Sequence, residues 1–237
     1  MNDNNLFITK EYFDNLSAEY VILIVDSQKQ IYRNINPVLT RRVKGRVLSI
    51  GSGPVMNFAD TNIDEVVCAD ISFNMLERLP ARAKLSRVNA DARSLPFDRG
   101  TFDTVVVPFL LHHMAMDSVI DTDKTIAKVL GEASRVLRRD GRVIVADLFV
   151  SPFIEMVERS FYTPAIAYLH HSGRPMMYFY SIPNFREILS DCKLALSNDM
   201  HIEMQEKIMP TLLFPKFKVS PKYHPAKFHI IEATKIL

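Results

Sequence analysis

Five short stretches of this chain are apolar almost without interruption: RVLSIG (46–51), EVVCAD (65–70), SRVNAD (86–91), FDTVVVPF (102–109) and RVIVADLF (142–149). Continuous Val and Ile, rather than alternation with polar residues, marks strands buried on both faces. Such strands belong to a parallel sheet covered by helices. At 237 residues the chain is long enough for one unit of this kind with a substantial core. A single α/β domain is therefore expected, with a helical cap over 1–45, a core over 46–149, an aromatic segment over 150–182 and a helix with strands over 183–237. In the cap, Phe13, Leu16, Tyr20 and Ile24 share one helical stripe, and a second helical pattern spans Ile31 to Val43. Asp121 to Arg139 reads as an amphipathic helix stopped by RRDG, and Asn184 caps a helix reaching about Asp191. The last run, KFHIIEATKIL, alternates enough to predict an antiparallel edge strand.

Charge and cysteine content narrow the function. The 29 basic and 27 acidic side chains nearly cancel without forming a run of like charge, so no nucleic-acid footprint is expected. The basic residues of the tail, Lys216, Lys218, Lys222 and Lys227, read as a solvated edge. No stretch of 18 apolar residues occurs, and the opening MNDNN lacks the regions of a secretory signal, which predicts a soluble cytoplasmic protein with no membrane partner. Cys68 and Cys192 are too few for a disulfide framework or a zinc cage, and no metal is expected.

The turn after the first run, VLSIGSGPVMNF (47–58), is where an α/β sheet holds a nucleotide. Gly51 and Gly53 let the backbone approach a ligand, and a following helix is expected to offer free N–H groups. A dinucleotide site needs glycine where Met56 stands, so a pyrophosphate clamp is disfavoured. Asp70, 19 residues after Gly51, ends the second run where a carboxylate accepts both hydroxyls of a ribose; its bland alternative is a helix N-cap. A ribose acid without a phosphate clamp suits an adenosine carrying something else, and S-adenosylmethionine fits that description.

The blocks VNADARSLPFDRGTFDTVVVPFLLHHM (88–114) and LGEASRVLRRDGRVIVADLF (130–149) resemble the class I S-adenosylmethionine-dependent methyltransferases, closest to the branch of quinone-biosynthesis and small-molecule enzymes. The resemblance runs from about residue 46 to 149. It implies a Rossmann-like sheet of seven strands, mostly parallel with the last antiparallel, and helices on both faces. It also implies Gly51 and Gly53 against the methionine part of the cofactor, Asp70 on the ribose, Ile71 on the adenine face, Asp91 and Ala92 at the adenine edge, and Phe109 with Leu110 bordering the cofactor. Two positions depart from the family pattern. Ser49 stands where an acid helps orient the cofactor's ammonium group, and Val55 where a small residue is usual. A neutral acceptor at 49 predicts a weaker cofactor site, roughly ten-fold, or another acid in its place.

Methyl transfer is an in-line displacement at an activated carbon, so alignment supplies most of the acceleration and a base is needed only when the acceptor still carries its proton. The candidate bases are His112 and His113, just past the fourth run, and His171. The 150–182 segment, rich in Tyr, Phe, Met and His, is expected to act as a lid over an apolar acceptor chamber, with Tyr162 and Tyr178 lining it and Tyr12 and Tyr20 at its mouth. The VVPF sequence lacks the polar lead and second proline of base-amine methylases, so the acceptor is expected to be a small molecule. The competing expectation, motivated by Ser49 and Val55, is a non-methylating protein of this fold: a cyclase-like catalyst or a binding module.

Overall fold

The computed structural model describes residues 4–27, 29–203, 209–210, 218–219 and 224–236. Two helices, α1 (Asn4–Ser27) and α2 (Lys29–Thr40), lead into β1 (Gly45–Ile50), β2 (Ile63–Asp70), α3 (Phe73–Glu77), β3 (Leu85–Asn89) and β4 (Phe102–Pro108). After a single 3-10 turn at Leu111–His113 come α4 (Val119–Val136), β5 (Leu137–Phe149), α5 (Pro152–Ser160), α6 (Tyr162–His171) and α7 (Ile182–Asp191). The chain ends with β6 (Leu194–Ile202), a two-stranded ribbon of β7 (Met209–Pro210) and β8 (Lys218–Val219), and β9 (Lys227–Lys235). Seven strands form one sheet in the order β3-β2-β1-β4-β5-β9-β6. The first five run parallel, and β9 is antiparallel to both its neighbours.

The continuous apolar runs end up where two-sided burial requires them. Val47, Leu48, Val105, Val106, Val143 and Ile144 are each 0 % exposed. Helices α2 and α3 cover one face through Ile35, Leu39 and Leu76, while α4 and α7 cover the other through Ile126, Val129, Phe185 and Leu189. Each fully buried aliphatic side chain is worth about 1.5–3 kcal/mol against exposure, so this sandwich dominates the fold's stability. Helix α4 starts at Ser118, whose Oγ accepts from Asp121 N at 3.1 Å.

Three expectations are corrected. No helix follows the glycine turn; residues 51–62 pass directly to β2 as irregular chain. Pro54, Asn57, Asp60 and Asn62 are poor helix formers, and α2 supplies the cover over Met56 and Phe58 instead. The RRDG stretch does not end α4 as a cap but already belongs to β5, because Leu137 pairs with Phe102 before the register shifts. The last strand is antiparallel yet interior: β9 lies between β5 and β6, and the edge is β6, whose LALSNDMHI alternates with solvent.

Candidate active site

The carboxyl ends of β1, β2 and β4 open into one cleft of about 800 Å³, counting its mouth. It lies where strand order reverses between β1 and β4, the place where open α/β sheets hold ligands. Its floor is the turn from Gly51 to Val55 with Asn57, one wall is Asp70 to Ser72 with Met75, and the other is Pro108 to Leu110 with His113 and Met114. Helix α1 closes it from above with Leu6, Thr9, Lys10 and Phe13, and Tyr32 of α2 completes it.

Both glycines have left-handed backbones, φ +65° at Gly51 and +57° at Gly53, which side-chain-bearing residues rarely adopt. A Cβ on Gly51 would sit 2.7 Å from Leu110 Cδ1, whereas one on Gly53 would meet nothing within 4 Å. Gly53 thus bares its backbone to the open cleft. Asp70 ties the turn to β2: its Oδ2 accepts from Gly53 N and its Oδ1 from Ser72 N, each at 2.9 Å. Burial pushes its carboxyl above the ordinary range, against the pull of those two N–H groups. Asp70 is not a helix cap, since Ser72 caps α3 by accepting from Met75 N. Ile71 lines the same wall. At the end of β4, Phe109 holds φ at +51°, an uncommon conformation for a bulky residue, and its ring meets Tyr32 and Phe228 edge-on or tilted.

Other predicted site residues lie elsewhere. Ser49 is 3 % exposed inside β1, between Cys68 and Val106, and does not line the cleft. Asp91 and Ala92 are outside it too. The Asp91 carboxylate turns to Arg93 at 2.8 Å, and although burial alone would raise its pKa, the Arg93 bonds hold it below the usual range.

The two adjacent histidines part company. His112 points away from the cleft, buried, its Nδ1 2.5 Å from Asp147 Oδ1 and its ring stacked on Phe179. His113 faces the cleft, its ring edge against Phe13 at 4.8 Å and 3.9 Å from the His112 ring. Burial first, and His112 second, push the His113 pKa well below its usual value, so the ring is neutral at pH 7. His113 Nδ1 is buried and has no hydrogen-bond partner among the described residues; the same holds for Asn57 Oδ1 and Ser52 Oγ.

The 150–182 segment does not wall the cleft. Tyr162 and Tyr178 are at most 2 % exposed in the core under the sheet, with hydroxyls bonded to Met116 O (2.6 Å) and Glu155 Oε1 (3.0 Å). Their aromatic mass is spent on packing, not on a chamber. His171 is exposed at the end of α6, Tyr12 is exposed on α1, and neither lines the cleft. The Tyr20 side chain lies outside the described residues. What closes the cleft is α1, and the residue that anchors it is Asn5, fully buried. Its amide donates to Ala115 O and Met176 O and accepts from Met176 N at 2.8 Å. Sequence reasoning missed Asn5, Asn57 and Asp147; only Asp147 carried a signal, as an acid inside an apolar strand run.

Residues 48–145 match the family model described as a methyltransferase domain. The demethylmenaquinone methyltransferase of Clavibacter sepedonicus is 30% identical over 167 residues, covering 65% of this chain and 64% of that protein. The 27-O-demethylrifamycin SV methyltransferase of Amycolatopsis mediterranei is 30% identical over 151 residues, 60% of this chain and 51% of its own. The chain thus spans between about half and two thirds of these relatives' length. Among solved structures, the DhpI–SAH complex superposes with a TM-score of 0.65 at 16% identity, covering 100% of this chain and 99% of that one. Nothing in the cleft or in these matches favours the non-methylating alternative. With the sheet order and the glycine turn, they make the chain similar to methyltransferases over residues 48–145.

Proposed function

We propose that this protein transfers a methyl group from S-adenosylmethionine to an O, N or C atom of a small organic acceptor. One observation carries the reading: the left-handed glycine turn, the Asp70 carboxylate and the β4 end meet in one cleft that also holds unpartnered buried polar atoms. The cofactor fits these residues. Gly53 leaves room for close backbone approach, Asp70 has lone pairs left for ribose hydroxyls, and Ile71 with Met75 offers an apolar bed for a purine. The bound cofactor supplies a methyl group activated by its sulfonium. The chain's own work is alignment and exclusion of water, through Phe13, Phe109, Leu110 and Met114.

His113 is the proposed base. It is unprotonated at pH 7 and its ring lines the cleft, where a neutral imidazole can take an acceptor's proton. His112, fixed by Asp147, is a positioning residue that packs against the His113 ring. A small acceptor is supported by relatives named for a menaquinone precursor and a rifamycin. No helix among the described residues is long and apolar enough to cross a membrane. Calorimetry with S-adenosylmethionine and S-adenosylhomocysteine tests the reading. Asp70→Ala should weaken both by at least about ten-fold, the size of one charge-assisted hydrogen bond, and unchanged affinity would refute it.

A further inference from the structure

Helix α5 faces the wrong way for a helix on the surface of a globular domain. Such a helix turns its apolar stripe to the core and its charges to water. In α5 the one buried residue is Glu155, which accepts from Tyr178 Oη at 3.0 Å and from Ser181 N at 2.9 Å, so the helix is tied down by its acidic side. Phe153, Met156 and Val157, with Phe161 at the helix end, lie at helical spacing on the outer side and are between 37 % and 66 % exposed. No charge interrupts this stripe, since the remaining position on it is Ser160. None of the four apolar residues lines the cleft.

Area, charge and shape together say what covers this face. With about 150–250 Å² for a whole aromatic side chain, the four residues present on the order of 400 Å² of apolar surface, a patch of the size that marks an interaction site. A stable interface takes about 800 Å² from each partner, about 65 % of it apolar between identical chains, so the stripe supplies most of the apolar part. A helix that lies on a bilayer flanks its apolar face with Lys and Arg. Across α5 and α6 the only such residue is Arg159, and it is already paired with Asp123 at 3.0 Å, with Glu155 and Glu158 on the same helix. An anionic lipid surface therefore has little to hold. Beside the stripe runs a groove between Pro152, Met156 and Ser160 of α5 and Ser181, Pro183 and Asn184 at the start of α7. Met156 and Ser160 belong to both stripe and groove, so two copies about a two-fold axis can each lay Phe153 against the other's groove, the self-match an isologous contact requires. We propose that this face joins two copies of the chain into a dimer, with both clefts left outside the contact.

Sedimentation of the full chain between about 1 and 100 μM tests this, since interfaces of standard size assemble at micromolar concentration or below. The 27.1 kDa chain should sediment at twice its mass. Met156→Glu places a charge in the apolar contact and should raise the dimer's dissociation constant at least about ten-fold, with the circular dichroism of wild type. Phe153→Glu should do the same, and it decides if the first variant does not fold. Ile236→Glu charges another exposed apolar side chain, at the opposite end of the sheet, and should leave the dimer intact. A wild-type chain that stays monomeric throughout would overturn the proposal, as would a dimer that the α5 variants leave unchanged or that Ile236→Glu breaks equally. Monomeric protein that cosediments with vesicles of phosphatidylcholine and phosphatidylglycerol, and fails to as Met156→Glu, would overturn it by assigning the face to a lipid surface.

Discussion

Removing the Asp147 carboxylate tests how the β4-end wall of the site is held. Asp147 is 1 % exposed near the end of β5, and its oxygens accept from Leu111 N at 2.9 Å, Leu148 N at 2.7 Å and the His112 ring at 2.5 Å. The tautomer that donates from His112 Nδ1 follows from that partner. Asp147→Ala strands two backbone N–H groups and one imidazole N–H in a dry interior. Each orphaned donor costs about 1–3 kcal/mol, and losses within one network saturate rather than add, so about 3–5 kcal/mol is expected overall. Asp147→Asn keeps the shape and one acceptor oxygen but loses the charge-assisted bond, for about 1.5–3 kcal/mol. In urea denaturation both variants should shift the midpoint at unchanged slope. In a chain of this size each kcal/mol moves the melting temperature by about 2–4 °C, so alanine should lower it by roughly 6–20 °C. Adding His112→Phe to Asp147→Ala should cost less than the sum of the two single losses. An alanine variant within about 1 kcal/mol of wild type would refute the claim that Asp147 ties the histidine turn to the sheet.

Further outcomes follow from the same geometry. Gly53→Ala should cost only about 1–2 kcal/mol of stability, for its left-handed backbone, yet lower S-adenosylhomocysteine affinity at least about ten-fold because its Cβ projects into the open cleft. Gly51→Ala, which meets Leu110, should lose more stability, and unaltered affinity in Gly53→Ala would mean that no ligand approaches that turn. The Glu158 carboxyl is raised to about 7 by burial, with Glu155 adding to the effect. The unfolded chain releases this proton near pH 4.5, the folded chain only near 7, so the fold loses stability as pH rises between them. Glu158→Gln should therefore melt with wild type at pH 4 but higher at pH 8, by an amount on the order of 1–3 kcal/mol, and equal melting at pH 8 would contradict this. Because His113 is held well below its usual pKa, methyl transfer should show no ionisation from this residue between pH 6 and 8; an acid limb near 6.5 that vanishes in His113→Gln would show the ring to be solvated.

What the sequence by itself determined was the sheet and the chemistry at its strand ends. Runs such as VVVP and VIVA can be satisfied only by burial on both faces, and local backbone needs place Gly51 and Gly53 in a left-handed turn wherever the rest of the chain lies. Asp70 was legible because it ends a buried strand; its bond to Ser72 is local, while the one to Gly53 reaches back from the end of β2 to the β1 turn. The tertiary structure decided which face each remaining residue shows. Tyr162 and Tyr178 have the composition of a pocket wall, but their hydroxyls find Met116 and Glu155, and burial there removes them from the cleft. His112 and His113 are identical neighbours in sequence; a carboxylate 35 residues away takes one and leaves the other to the site. Strand β9 alternates like an edge strand because alternation reports the two faces of a strand, not whether both its edges are paired. The cover of the site was the least legible feature. Helix α1 sits over the cleft because Asn5 bonds partners 110 and 171 residues away, and no local pattern encodes contacts that exist only after the chain has folded back on itself.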